Sequence, residues 1–207
     1  ISPNAETRAG AVHFACHVDT QLAPARRQPR LIGGAVACGA PMPRRQTCAV
    51  CEEADGGAKG RLFTCSRCRV RVHQSCYGIP DSAERRAWMC APCMADKLPE
   101  CRLCPVSGGA LKAADGGGFV HVVCARWVSG VRVPDSASKG LICGIGRALG
   151  RSRGQRCSVC GDAKGASTQC AAPKCPTRFH ATCARAASLI FHPGRGFFCA
   201  AHRRVGK

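Results

Sequence analysis

Residues 48–93 read CAVCEEADGGAKGRLFTCSRCRVRVHQSCYGIPDSAERRAWMCAPC. The stretch offers Cys48, Cys51, Cys65, Cys68, His73, Cys76, Cys90 and Cys93, eight side chains of the metal-ligating kind. They fall into three Cys-x2-Cys pairs and one His-x2-Cys pair. Residues three apart on a tight turn aim both side chains at one ion, and a disulfide framework has no reason to recruit histidine at that offset. The pattern recurs downstream. Cys101 and Cys104 with His121 and Cys124 make one further set of four. Cys157, Cys160, Cys170, Cys175, His180, Cys183, Cys199 and His202 repeat the order of the first block but close on Cys-x2-His. Cys16, Cys38 and Cys143 lack a partner pair and read as ordinary thiols.

Composition agrees with metal in place of a conventional core. Leu, Ile, Val and Phe together make up about 18% of the 207 residues, below the roughly 20% at which a charged chain looks disordered. The 45% hydrophobic fraction is carried by alanine and by 19 cysteines. Alanine buries little area, and 24 glycines make the unfolded chain costly to order. Four complete donors per set leave no open coordination position for a catalytic water, so the sites read as structural and the chain as non-enzymatic. The formal charge of +19 points to a polyanionic partner such as nucleic acid. No secretory-type apolar segment stands near the start, and no run approaches the roughly 20 apolar residues of a membrane span, so no membrane partner is expected. The chain opens on Ile1, as expected of a fragment or an incomplete gene model.

The expected organisation is a flexible basic lead-in over 1–46, a first finger over 47–96, a zinc knuckle over 97–128, a basic linker over 129–154, an extended finger over 155–204 and a tail over 205–207. His as fifth ligand, rather than the fourth as in RING fingers, with Trp88 two residues before Cys90, makes the first block resemble a PHD finger. The strings CRLCPVSGGALK (101–112), HVVCARWV (121–128) and FHATCARAA (179–187) resemble stretches of plant trithorax-related lysine methyltransferases, and similar stretches occur in MYST acetyltransferase scaffold subunits and JmjC-type demethylases. The whole of 47–204 thus resembles the PHD, zinc knuckle and extended PHD module of chromatin proteins. The fold class this implies is a small zinc-stabilised α+β structure, two cross-brace PHD-type fingers joined by a zinc knuckle, in a nuclear protein.

Spacing alone allows sequential ligand sets as well as interleaved ones. The resemblance implies interleaving, with five zinc ions held by Cys48, Cys51, His73 and Cys76; by Cys65, Cys68, Cys90 and Cys93; by Cys101, Cys104, His121 and Cys124; by Cys157, Cys160, His180 and Cys183; and by Cys170, Cys175, Cys199 and His202. Phe63, Val72, Tyr77, Trp88, Phe179, Leu189, Phe197 and Phe198 are expected to fill the spaces between sites. Asp81-Ser82-Ala83-Glu84 reads as a helix start, and 179–190 as an Ala-rich helix.

The resemblance also implies a ligand for the first finger, the histone H3 tail added as a strand along Leu62, Phe63 and Thr64. Glu52, Glu53 and Asp55 are the acids that could meet an unmodified lysine, whereas Ser66 occupies a position often acidic in unmodified-tail readers. A methyl-lysine cage needs aromatic faces, and Arg71 stands where cage-bearing fingers place a tryptophan. Extended fingers of this kind often bind nucleosomal DNA, and Arg147, Arg151, Arg153, Arg156, Lys174 and Arg178 are the candidate phosphate contacts, with Lys164, Arg185, Arg195, Arg203 and Arg204 in support. Ten aromatic residues, mostly claimed by packing, argue against stacking on single-stranded bases. Two other readings are an intramolecular interaction platform within a larger histone lysine methyltransferase and a RING-like ubiquitin ligase, the latter disfavoured by the position of His73.

Overall fold

The computed structural model describes residues 47–56, 59–134, 140–192 and 194–203. The expected lead-in, the tail, Cys16, Cys38 and Arg204 lie outside the described residues. Gly34–Lys207 forms one compact unit, and everything below concerns it.

One small motif is used three times. A strand ends at a histidine or at the residue before it, and a short helix starts at the residue after that histidine. Strand β1 (Leu62–Thr64) pairs antiparallel with β2 (Arg71–His73), and α1 (Gln74–Tyr77) follows. In the knuckle β3 (Leu111–Ala113) pairs with β4 (Phe119–His121), followed by α3 (Val122–Trp127), α2 (Ala91–Met94) having closed the first finger. In the extended finger β5 (Thr168–Gln169) pairs with β6 (Arg178–Phe179), followed by α5 (Ala181–Ala186). A last hairpin, β7 (Ile190–His192) with β8 (Gly196–Phe198), leads to a 3-10 turn over Ala200–His202. Sheets of two strands cannot stand alone in water. Metal sets at both ends of each finger and a shared core supply what the sheets lack.

The glycine-rich stretch of the knuckle is the β3–β4 turn. Gly116, Gly117 and Gly118 all have φ between 64° and 83°, a conformation costly for other residues. Arg102 closes the turn by donating from Nη1 to the carbonyls of Asp115 (2.6 Å) and Gly117 (3.0 Å).

Two expectations need correction, besides the Ala-rich helix expected over 179–190, which is confined to Ala181–Ala186 because strand pairing claims its ends, Phe179 opposite Thr168 and Ile190 opposite Phe198. Asp81–Glu84 forms turns rather than a helix start. The Asp81 carboxylate accepts from Gln74 Nε2 at 2.7 Å instead of capping the following amides, and Ala83 N closes a turn onto Pro80 O. The second concerns 129–154, read as a linker for its glycines and arginines. It carries α4 (Ile145–Arg151), and Ile142, Ile145 and Ala148 are wholly buried. Ile142 N donates to Ala113 O and Asp115 N to Ile142 O, so this segment is laid against the end of β3 by a single isolated bridge, Ala114 to Ile142. Asp115 Oδ2 also accepts from Gly144 N at 2.9 Å, at the start of α4. Three apolar residues spaced along an arginine-rich stretch are too few to betray burial by period alone.

Burial divides the unit unevenly. One core joins the knuckle, α4 and the extended finger, with Leu103, Leu111, Val120, Ile142, Ile145, Phe179 and Phe198 at its centre. A smaller core lies within the first finger around Phe63, Val72, Tyr77 and Ile79, and it takes in Ala110 and Val122 from the knuckle. Trp88 stands edge-on to Tyr77 (5.3 Å) and to Phe63 (6.1 Å), as a packing residue. Among the described residues no helix is long and apolar enough to cross a membrane.

Candidate metal centres and binding surfaces

The repeated motif builds three metal sets in the same way. The histidine amide at or just past the end of each second strand, at His73, His121 and His180, donates to the first cysteine of its block, Cys48 Sγ (3.3 Å), Cys101 Sγ (3.4 Å) and Cys157 Sγ (3.4 Å). Each histidine turns Nδ1 to the second cysteine, at 3.3 Å from Cys51, 3.3 Å from Cys104 and 3.5 Å from Cys160. The helix that begins at the next residue brings Cys76, Cys124 or Cys183 to the same nitrogen at 3.7–3.9 Å. The far nitrogen, Nε2, meets a backbone carbonyl, Ala54 O for His73 (3.1 Å) and Gly108 O for His121 (2.6 Å). A carbonyl there orients the ring and leaves Nδ1 as the donor towards a metal.

The two remaining sets sit at the other ends of the fingers. Cys65, Cys68, Cys90 and Cys93 form one, with Cys68 and Cys90 sulfurs 3.5 Å apart. Cys170, Cys175, Cys199 and His202 form the other, with Cys199 Sγ 3.2 Å from His202 Nδ1. In all five sets the donor atoms lie within 4.8 Å of one another. A tetrahedral Zn²⁺ with sulfur at about 2.3 Å needs donor separations of about 3.8 Å, so the sets fit zinc in size, donor type and number. The interleaved grouping is therefore the one the geometry presents.

Their electrostatics call for a cation. Burial, then the neighbouring Cys48 and Cys51, push the Cys76 thiol up to about 12. Burial also raises Cys65, but the amides of Cys68, Cys90 and Arg67 outweigh it and bring that thiol down to about 6. In the knuckle, hydrogen bonds from Cys104 and Cys124 hold Cys101 far below the ordinary thiol range, and Cys124 is driven well above it by bonds to Cys101 and Cys104. Three thiolates cannot share so small a space without a positive ion. When bound, zinc supplies that charge and apparent folding energy of about 10–16 kcal/mol per site.

The three acids expected near a histone tail are all engaged. Glu52 pairs with Arg185 of α5 (2.6 Å), and Glu53 with Lys59 (2.7 Å). Asp55 Oδ1 accepts from Leu62 N at 2.7 Å. Leu62 O in turn accepts from Arg85 Nε (3.1 Å) and Nη2 (2.7 Å). In the register Leu62↔His73, Phe63↔Val72, Thr64↔Arg71, the Leu62 N–H and C=O thus point away from β2, and so do those of Thr64 two residues on. On the same side Ser66 N donates to Trp88 O. Arg85 has no motif around it, and its part in this edge had no signal in the sequence.

The basic candidates divide as well. Arg147, Arg153 and Lys174 are exposed, and their side chains make no hydrogen bond among the described residues. Arg151 bonds Ser129 O, Arg156 bonds Gly161 O (3.1 Å), and Arg178 bonds Ser167 Oγ (3.2 Å) and Gln169 Oε1 (3.1 Å). Arg185, expected to support DNA contact, is turned the other way. It donates to Glu52, Ala49 O (3.3 Å) and Val50 O (3.0 Å), tying the extended finger to the first. Two further links join the first finger to the knuckle. The Tyr77 hydroxyl donates to Leu111 O and accepts from Ala91 N, and Arg126 Nη2 donates to Cys76 O at 3.1 Å.

Comparison with known proteins bears on this arrangement directly. The PHD-finger family model matches residues 60–94, and the PHD-zinc-finger-like domain model matches 99–201. The crystal structure of the zebrafish PHF14 PZP module superposes with a TM-score of 0.65 at 30% identity, over 75% of this chain and 87% of that one. The chain belongs to the PHD-type zinc-finger family. As a PHD-type module it is a binding unit, not a catalytic one, and its fold is that of tandem PHD-like fingers. Protein Jade-1 of Bos taurus is 37% identical over 138 residues, 66% of this chain and 27% of that protein. Histone-lysine N-methyltransferase TRX1 of Oryza sativa subsp. japonica is 36% identical over 146 residues, 69% of this chain and 14% of that protein. This PHD module therefore spans about a quarter or less of the curated relatives named here.

Proposed function

We propose that the module is a nuclear chromatin reader in which the first finger takes an extended histone H3 tail along β1 while the extended finger and α4 hold nucleosomal DNA without reading its sequence. The observation that carries this reading is a partition of charge. Residues 47–100 hold eight Lys or Arg against seven Asp or Glu, whereas 101–207 hold 17 against three. A near-neutral finger with an outward-facing strand edge suits a peptide, and a strongly basic body with few aromatics to spare suits phosphates. Joining the two in one unit makes individually weak contacts add through effective concentration.

Arg147, Arg153 and Lys174 are the residues to test, because the fold does not use their side chains. Reversing all three to glutamate should weaken binding to a short DNA duplex and lower the slope of log K against log salt by about 3, since each lost phosphate contact removes about 0.9. An unchanged slope would remove DNA from the proposal. A second reading, an interaction platform inside a larger histone lysine methyltransferase, is favoured by the 36% identity to the rice enzyme over a small part of its length.

A further inference from the structure

The edge of β1 is not open. Leu62 N–H is held by Asp55, Leu62 C=O by Arg85, and Ser66 N–H by Trp88 O, so Thr64 alone faces out between two occupied positions. A strand added along β1 pairs with alternate residues, hence with Leu62 and Thr64. Thr64 by itself gives one pair, too little for a strand to hold.

Resting on the tail-binding reading above, we propose that Asp55 and Arg85 form a displaceable clasp that selects the ligand. An extended basic peptide enters by giving its backbone to Leu62 in place of the two side chains and its own cation to Asp55 in place of Arg85. The clasp is suited to exchange. Asp55 Oδ2 and Arg85 Nη2 stand 4.0 Å apart with side chains 54% and 44% exposed, a weak and solvent-screened pair. Arg85 otherwise rests over the Phe63 ring, its Cζ 6.0 Å from the ring centroid. Between them Asp55 and Arg85 cover the Leu62 N–H and C=O, the two groups that a peptide backbone satisfies equally well. Charge limits the entrant, because a peptide without a cation at that position leaves Asp55 without the partner it had. The opposing possibility is that the clasp merely shields a sheet edge from unwanted pairing.

The two differ in what loss of Arg85 does. An internal competitor lowers apparent affinity by the fraction of time it occupies the site. The test uses the full zinc-loaded chain and a synthetic fluorescent peptide of the histone H3 N-terminal tail, with anisotropy as the readout. Arg85→Ala should bind at least threefold more tightly than the unaltered chain, and Arg85→Gln should do the same. Asp55→Asn should bind about tenfold more weakly, and adding Arg85→Ala to it should recover no more than half of that loss. Arg86→Ala, an exposed neighbour, should change nothing. In an ¹⁵N spectrum the Leu62 amide should be among the signals that move most on adding peptide. Unchanged or weaker binding by both Arg85 variants, with the peptide still bound by the unaltered chain, would overturn the clasp and leave tail reading standing. Absence of binding by every form would overturn tail reading and the clasp with it.

Discussion

The first and extended fingers are built from the same strand–histidine–helix motif, yet they differ in what surrounds it. The extended finger is embedded. Its core continues into the knuckle and α4. Its approach to β5 is pressed against the knuckle, where Ala166 N donates to Leu103 O and a Cβ at Gly165 would come within 2.4 Å of Leu103 C. The first finger has a smaller core that draws only Ala110 and Val122 from the knuckle, and it meets the rest otherwise through a few polar links, chiefly Tyr77, Arg126 and Arg185. If a peptide adds to the module as proposed, the finger less bound into the joint core is the one with more freedom to receive it. The lesson is that a repeated metal motif sets local shape, while its neighbours decide which copy has a surface to offer.

Breaking single metal sets should expose this difference most strongly. Cys183→Ser removes a ligand at the joint core, so native mass spectrometry should show both extended-finger ions and the knuckle ion lost together. Cys68→Ser, in the first finger, should leave the other three-ion body bound and folded. Each lost site corresponds to about 10–16 kcal/mol of apparent binding energy, enough to unfold what depends on it. Equal collapse in both variants would erase the distinction between the fingers.

Smaller changes should sharpen it. Ile142→Ala, at a fully buried position, should cost about 2–5 kcal/mol in chemical denaturation, far more than any linker residue would. Gly165→Ala combines φ of +96° with the close approach to Leu103 and should cost about 2–3 kcal/mol, concentrated in the knuckle and extended finger by hydrogen exchange. Tyr77→Phe removes the hydroxyl that joins α2 to β3 and should cost about 1–2 kcal/mol, with the loosening confined to the first finger and its contact with the knuckle.

The metal centres were legible because metal coordination is local in sequence. Pairs three residues apart announce themselves, and histidine among them decides against disulfides. The strand at Leu62–Thr64 came with the family resemblance rather than with the spacing, and the alanine-rich run after His180 announced a helix but not its bounds. Segment 140–151 was not legible, since Ile142, Ile145 and Ala148 are dispersed among glycines and arginines and acquire a buried face only by packing on the β3–β4 hairpin. Arg185 and Arg178 read as surface charge like any other arginine, and their commitment to carbonyls and to Glu52 depends on what the fold brings opposite them.

By itself the sequence determined that metal must supplement a sparse core, how many donors there are, and that the basic charge lies mostly beyond residue 100, for these depend on residue type and spacing. Tertiary structure decided which fours share an ion, which arginines remain exposed, and that β1 is clasped by Asp55 and Arg85. Those depend on pairs distant along the chain, as Glu52 and Arg185 are, and no spacing rule reaches across such a separation.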